Sequence, residues 1–342
     1  MREPSFWWHE GRSAAFALAP LAAAYGVVAQ ARLNRRGRSV AVPVVCIGNL
    51  TVGGAGKTPA AIATAQILKA AGELPMFLTR GYGGSLAGPI AVDPARHGAA
   101  EVGDEPLLLA NTAPTTVARD RVAGANFSIA RGATVVVMDD GFQNPSLRKD
   151  LSILVLDGRR GIGNGRVIPA GPLRVPLGAQ LRRAQVLVLV GAATRAEAVV
   201  ADARKREIAI FRAELRPDPQ FVAALGRGRV LAFAGIGDPN KFFTTVADAG
   251  ITIASKRGFP DHHRYTREEA RALCEEADRE GHVLLTTEKD LARLRGDDSV
   301  SGLATQAHAL PVALTFEDEE RFRSLLLKGL SQARSSRLRT LL

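Results

Sequence analysis

LTVGGAGKTP, residues 50–59, decides how the rest of the chain is read. A loop written G-x-x-x-x-G-K-[ST] cradles phosphate with its backbone N–H groups, and here Thr51 stands where the first glycine belongs. The flanks settle the context. VPVVCIGNL (42–50) is a nearly continuous apolar run of strand length, and PAAIATAQILKAAG (59–72) carries apolar residues at helical spacing. Strand, glycine loop and helix N-terminus together make an anion site, because unpaired N–H groups and the helix dipole face the same point. On this reading Thr51, Val52, Gly53, Gly54, Ala55, Gly56, Lys57 and Thr58 form the nucleotide loop. The glycines permit close backbone approach, Lys57 reaches the β- and γ-phosphates, and Thr58 ligates Mg²⁺. A glycine-rich structural turn is the alternative.

A phosphate loop of this class needs a carboxylate at a neighbouring strand tip to hold the metal. TVVVMDDGFQN (134–144) supplies Asp139 and Asp140 after an apolar run. Two such carboxylates are costly to bury unless a cation neutralises them, although Asp pairs also cap helices. With the loop upstream, the metal reading is preferred: Thr58 with Asp139 or Asp140, and Glu105 as a further candidate. A guanine-reading N-K-x-D is absent, since TTEKD (286–290) sets Lys289 directly before Asp290. ATP is therefore expected, not GTP.

Further apolar runs at LPMFLT (74–79), LSILVLDG (151–158) and AQVLVLV (184–190) alternate with helical or loop segments, the pattern of a parallel sheet in an α/β fold. IAIFRAELRPDPQF (208–221) alternates and contains two prolines, which reads as an extended connector. A second α/β pattern then begins at RVLAFAGIGDP (229–239) and runs through HVLLTTEKD (282–290) to LPVALTF (310–316). The expected organisation is an N-terminal apolar helix with its basic flank (1–38), a P-loop core with a parallel sheet flanked by helices (39–207), a connector (208–225) and a smaller C-terminal α/β domain (226–342).

Forty-five Lys and Arg against 34 Asp and Glu give a net charge of +11, which favours anionic partners. No basic stretch interleaved with aromatics offers a base-stacking platform, so nucleic acid is not the expected partner. No obligatory protein partner is inferred. Cys46 and Cys274 stand far apart outside any C-x-x-C spacing and read as two buried thiols in a reducing cytoplasm. From Ala14 to Ala31 the chain is uncharged, long enough to be considered as a membrane span, but Ala-rich and interrupted by Pro20 and Gly26. Phe6, Trp7 and Trp8 precede it as interfacial aromatics do, and Arg32, Arg35, Arg36 and Arg38 follow it. Glu3, His9 and Glu10 dilute the basic start that a signal peptide requires. A monotopic helix lying in the membrane interface is expected, in preference to an Ala-rich helix packed on the domain.

Four clusters remain: TRGYGG (79–84), GDEP (103–106), PAGPLR (169–174) and FPDHHRYT (259–266). Taken singly, Asp104 and Glu105 read as helix-capping residues, and the residues alone do not separate His262 from His263. Taken together and in order, TVGGAGKTP, TRGYGG, GDEP, DDGFQ, GPLR, the DH of FPDHHRYT and TTEKD closely resemble the tetraacyldisaccharide 4′-kinase family of lipid A biosynthesis. That family carries the loop variant with Thr at its first position. The resemblance spans nearly the whole chain and implies ATP-dependent phosphorylation of the 4′-hydroxyl of a tetraacylated glucosamine disaccharide 1-phosphate, an anionic lipid met at the membrane surface on the cytoplasmic face of the bacterial inner membrane. It also implies Asp104 as the catalytic base with His262 as its partner, beside Lys57. Arg80 and Arg174, in glycine- and proline-rich loops, are candidate clamps for the transferred or the disaccharide phosphate, with Arg119 and Arg121 behind them. The rival is a membrane-associated P-loop ATPase of regulatory or partitioning type, which shares the loop and the Asp–Asp strand.

Overall fold

The computed structural model describes residues 3–8, 13–226 and 228–341. Among them, two sheets organise the chain. The strands in chain order are β1 (Val44–Asn49), β2 (Pro75–Thr79), β3 (Ile90–Ala91), β4 (Thr115–Val117), β5 (Val135–Asp139), β6 (Leu151–Asp157), β7 (Val186–Val190), β8 (Ala209–Pro217), β9 (Val230–Ala234), β10 (Ile253–Gly258), β11 (Val283–Thr287), β12 (His308–Leu310) and β13 (Val312–Phe316). The large sheet runs β13-β8-β7-β6-β1-β5-β2-β4-β3, and the small one runs β10-β9-β11-β12. All pairings are parallel except β13 with β8 and β3 with β4, at the two edges.

β1 is central, and its burial explains its composition. Val45 and Ile47 enter the core on one face of the sheet, and Val44 and Cys46 enter the core on the other. A strand covered on both faces has no polar side, so its sequence is continuously apolar instead of alternating. Burial also pushes the Cys46 thiol up to about 11, as inert as its surroundings suggest. At the C-terminal end the pattern breaks at Asn49. Its buried amide donates to the Gly53 carbonyl (3.1 Å) and so fixes the glycine loop to the strand that launches it.

The domain boundaries differ from the sequence expectation in two places. Residues 209–217 are not a free connector: β8 lies inside the large sheet between β7 and β13, with Phe211 and Ala213 buried and Arg212 and Glu214 turned outward or partly covered. The chain beyond residue 226 does not all belong to the second domain either. After β12 it returns, so that β13 and the helix Glu319–Leu341 complete the first domain. The physical reason is aromatic: Phe322 packs against Phe211 (ring centroids 5.1 Å) and Phe316 (4.0 Å), covering the apolar face of β8. The second domain is therefore an insertion between β8 and β13, tethered at both ends.

The N-terminal segment packs on the first domain through one face. It forms two helices, Ser13–Ala17 and Ala19–Leu33, the second with proline in its first turn, where the missing N–H costs nothing. Its small residues Ala22 and Gly26 are buried, Gly26 facing Pro176 and Val167, while Phe16, Leu21, Val27 and Val28 are exposed. Among the described residues no helix is long and apolar enough to cross a membrane. Trp7 is buried within the protein, its indole donating to the Pro169 carbonyl (2.9 Å), and Trp8 lies under the Arg160 guanidinium. These two aromatics are thus structural, not interfacial anchors.

Candidate active site

The glycine loop leaves β1 at the C-terminal edge of the large sheet and runs into the helix Lys57–Ala70. Thr51 needs no glycine because its backbone is extended. It bridges to Leu173, Val52 N–H donates to the Pro172 carbonyl (2.9 Å), and the Thr51 carbonyl accepts from Arg174 Nε (3.2 Å). The GPLR segment thus serves as a short partner strand for the loop's first residues. Gly56, at the helix N-cap, does require glycine, with φ 96° in the left-handed region.

Lys57 and Thr58 are buried at the first turn, and among the described residues no side chain bonds the Lys57 ammonium. The Thr58 hydroxyl donates to Asp139 Oδ2 (3.1 Å), while Asp139 Oδ1 is buried without a partner. Burial, and then the Glu105 charge, push the Asp139 carboxyl up to about 7, against the opposing pull of Lys57. A buried carboxylate short of positive charge beside a threonine hydroxyl fits a hard divalent cation. The adjacent Asp140 does not join it. With φ 52° it turns away to a bidentate pair with Arg174 (3.0 and 3.2 Å). Burial opposes its ionisation, but Lys57 and Arg174 hold its carboxyl down at about 2. Glu105, the third expected ligand, is taken by Lys289 Nζ (2.5 Å). Among the described residues no group of three or more His, Cys, Asp or Glu is gathered for a metal.

Across the cleft, Asp104 begins the helix Asp104–Ala110. Gly103 before it has φ 91°, and a Cβ there would lie 2.5 Å from the Tyr82 carbonyl, so only glycine lets the GDEP turn seat against TRGYGG. Asp104 Oδ2 meets His262 Nδ1 at 3.2 Å and Arg293 Nε at 3.4 Å, and Oδ1 accepts from Glu105 N–H (2.9 Å). Burial would raise its carboxyl, yet the His262 hydrogen bond and the Lys289 charge outweigh it and set it at about 2. The same hydrogen bond raises the His262 imidazole above its ordinary value. His263 points elsewhere, to Glu269 (2.9 Å).

His262 reaches Asp104 from the second domain, on a loop with its own strain, φ 54° at His262 itself. That loop is braced by Asp290, fully buried, which accepts from Gly235 N–H (3.0 Å), Tyr265 hydroxyl (2.7 Å), Arg293 (2.8 Å) and Thr287 hydroxyl (2.6 Å), while Gly235 carbonyl accepts from His262 N–H (3.1 Å). Further contacts join the domains here, among them Arg160 with Asp238 (3.8 Å). Lys241 pairs with Asp157 at the end of β6 (2.6 Å), and Gly237 lies so close to the glycine loop that a Cβ would come within 3.2 Å of Gly54 N. Asn49, Asp157, Lys241, Lys289, Asp290 and Arg293 were not expected as site residues. Polar residues ending apolar strands, as Asn49 and Asp157 do, are the signal that was available.

One cavity of about 860 Å³ connects these groups, lined by Lys57, Thr58, Glu105, His262 and Lys289, and extending to Tyr25, Val28 and Arg32 of the N-terminal helix. Arg174 borders it but is committed to Asp140 and the Thr51 carbonyl, which makes it a brace for the loop. Arg80 is exposed at the end of β2 and does not line it. Arg119 donates to the Ser85 carbonyl (3.4 Å), and Arg121 is buried against the Ala118 carbonyl with its Nε unpartnered.

A loop that grips phosphate, facing a carboxylate–imidazole pair able to take a proton, is the equipment of a P-loop phosphotransferase. Residues 14–331 match the family model described as tetraacyldisaccharide-1-P 4′-kinase, LpxK. The chain is 52% identical to the tetraacyldisaccharide 4′-kinase of Rhodopseudomonas palustris (strain BisA53), covering 99% of both chains, and 49% identical to that of a Bradyrhizobium species (strain BTAi1), covering 98% and 97%. A crystal structure of LpxK from Aquifex aeolicus in complex with ATP superposes with a TM-score of 0.70 at 27% identity, over 92% of this chain and 99% of that one. The chain belongs to the tetraacyldisaccharide 4′-kinase family.

Proposed function

We propose that the protein transfers the γ-phosphoryl group of ATP to the 4′-hydroxyl of a tetraacylated glucosamine disaccharide 1-phosphate, working peripherally at the cytoplasmic face of the inner membrane. The observation that carries this reading is the Asp104–His262 pair, set across one cavity from the Lys57–Thr58 loop. A switch or partitioning ATPase activates water and has no use for a cavity that runs from such a pair to the N-terminal helix.

In this reading the loop N–H groups and Lys57 bind the β- and γ-phosphates, and Asp104 accepts the proton of the attacking hydroxyl while His262 orients it and shares its charge. Thr58 and Asp139 are the residues that would hold Mg²⁺, which when bound neutralises charge on the β- and γ-phosphate oxygens. Arg80, exposed at the end of β2, is the remaining candidate for the phosphate of the lipid. The exposed side chains Phe16, Leu21 and Val28 on the N-terminal helices support a shallow membrane contact, since Tyr25 and Val28 continue into the cavity and would deliver a lipid headgroup to it.

The test is transfer of labelled γ-phosphate from ATP to the tetraacyl disaccharide 1-phosphate in detergent, for the native protein and Lys57→Ala. The expected result is phosphorylated lipid from the native protein and a loss of about a thousandfold or more in the variant. ATP hydrolysis with no lipid product would return the ATPase reading.

A further inference from the structure

Among the described residues, six cationic or cation-capable side chains line the cavity, and three of them hold carboxylates away from the loop. Arg174 holds Asp140, Lys241 holds Asp157, His262 holds Asp104, and Arg32 stands at the lip with the N-terminal helix. Lys57 belongs to the phosphate loop. The sixth is Lys289, at the start of the helix Glu288–Arg295 in the second domain, and its ammonium crosses the cleft to Glu105 (2.5 Å). Glu105 follows Asp104 in the chain, so this ion pair lies beside the proton acceptor and not at the rim. Lys289 is 28% exposed, through the cavity it lines, and of its three N–H donors one is used by Glu105. Its charge also acts on Asp104, the neighbour of Glu105. Lys289 lines one cavity with Lys57, Thr58 and His262, which spans the space between the loop and the Asp104–His262 pair. A γ-phosphoryl group bound to the loop has to occupy that space, and the first domain alone offers it only Lys57.

We propose that Lys289 is a catalytic residue that contacts the transferring phosphoryl group from the second domain, with Glu105 as the positioning residue that carries its ammonium there. The proposal rests on the kinase reading above. The transfer keeps its balance: the sugar oxygen bonds to the γ-phosphorus, and the bond from that phosphorus to the β–γ bridging oxygen breaks, its electron pair leaving on ADP. The hydroxyl proton passes to Asp104. Lys289 neutralises charge on the non-bridging oxygens without exchanging a proton, the part played by cationic fingers in other phosphoryl transfers. An ion pair that only clipped the domains together has a counterpart already in Lys241–Asp157, which makes the position of Lys289 informative.

The experiment measures kcat and KM for ATP with the lipid acceptor in the full chain. Lys289→Met should lower kcat by about a hundredfold to a thousandfold while KM for ATP moves less than about threefold. Ethylammonium should restore part of the rate to Lys289→Ala, and Lys289→Arg should keep more rate than Lys289→Met. The double variant Glu105→Lys/Lys289→Glu preserves an ion pair across the cleft but reverses it, and it should remain as slow as Lys289→Met. Recovery of the native rate in that double variant, or a near-native rate in Lys289→Met, would overturn the proposal by reducing the pair to a clip. If Lys289→Met does not fold, as judged by circular dichroism, the ethylammonium response of Lys289→Ala and the rate of Lys289→Arg decide: no rescue with a Lys289→Arg rate equal to that of Lys289→Ala overturns it. Absence of lipid product from the native protein would instead defeat the kinase reading itself.

Discussion

The floor of the cleft is assembled from one sheet edge, where β1, β5 and the loop between them bring Lys57, Thr58 and Asp139 together with short local ties such as Asn49 to Gly53. Its roof is assembled from groups that meet only across the domain boundary: His262 and Arg293 on Asp104, Lys289 on Glu105. The difference assigns separate work to the two. The phosphate loop is built by the first domain alone, whereas the Asp104–His262 pair is complete only when the inserted domain is docked. Insertion between β8 and β13 suits this, because both tethers hold the second domain near the cleft even when the contacts open.

The sharpest way to break that contrast is Asp104→Asn. Loss of the proton acceptor should cut lipid phosphorylation by about a hundredfold to ten-thousandfold with ATP affinity nearly unchanged, measured by steady-state transfer and by nucleotide titration. A matching fall in ATP affinity would show that floor and roof are not separable. The same pair sets a pH dependence. Asp104 lies below its ordinary value and His262 above its own, because each stabilises the charged form of the other. The interaction is fully present above the ordinary Asp range and below the ordinary His range. It is lost as pH falls toward about 2 through Asp104, or rises through the elevated His262 value. Imidazolium weakens Asp104 as a base, so the rate should climb as His262 loses its proton, above the roughly 6.5 of an ordinary histidine. In Asp104→Asn the His262 titration followed by NMR should fall back toward that ordinary value.

A smaller effect should come from the contact that docks the roof without touching the chemistry. Lys241 and Asp157 are both largely buried, with side-chain exposures of 13% and 6%. Lys241→Met strands the carboxylate and should cost about 3 kcal/mol of domain docking, while Lys241→Met with Asp157→Asn should recover part of it. Denaturant unfolding, with tryptophan fluorescence for the first domain and hydrogen exchange at β9 and β11 for the second, reads the two domains separately. Equal loss in both domains would mean that they unfold as one unit and that the contrast is chemical only.

How much of this was legible follows from how local each signal is. β1, the loop and β5 were readable because strands buried on both faces announce themselves as apolar runs, and the loop's chemistry lies within eight residues. The return of β13 to β8 was not, since the pairing joins Phe316 to Ala213 across an entire inserted domain and no local pattern encodes it. Asp104 alone reads as a helix cap, and only its contact with His262, 158 residues on, separates the two meanings. Lys289 was read from sequence as evidence against a guanine site and as part of a family motif, with no role of its own, because the neighbour that gives it one lies 184 residues away. Asp139 and Asp140 were interchangeable as letters. The left-handed backbone at Asp140, which sends its carboxylate to Arg174, is what divides them.

The lip of the cleft carries the smallest effect per residue and the most distinctive one in kind. Phe16 (61% exposed), Leu21 (62%) and Val28 (60%) belong to neither floor nor roof, and in water each exposes apolar area that a lipid surface would cover. Full burial of such a side chain is worth about 1.5–3 kcal/mol, and a shallow helix buries only part of it, so each change to serine should cost about 1 kcal/mol, or roughly fivefold in vesicle affinity. Co-sedimentation with vesicles containing anionic lipid measures this directly. ATP affinity should not move and thermal unfolding should move little, because the packed face is made by Ala22, Gly26 and Leu33 and Phe16 adds only an outer contact with the Arg166 guanidinium. The triple variant should act on vesicle-embedded acceptor with a raised KM and an unchanged kcat, and should equal the native protein on detergent-dispersed acceptor. A drop in kcat on the dispersed acceptor would place these side chains in the chemistry of the cleft and remove the reason for treating the lip as a third region.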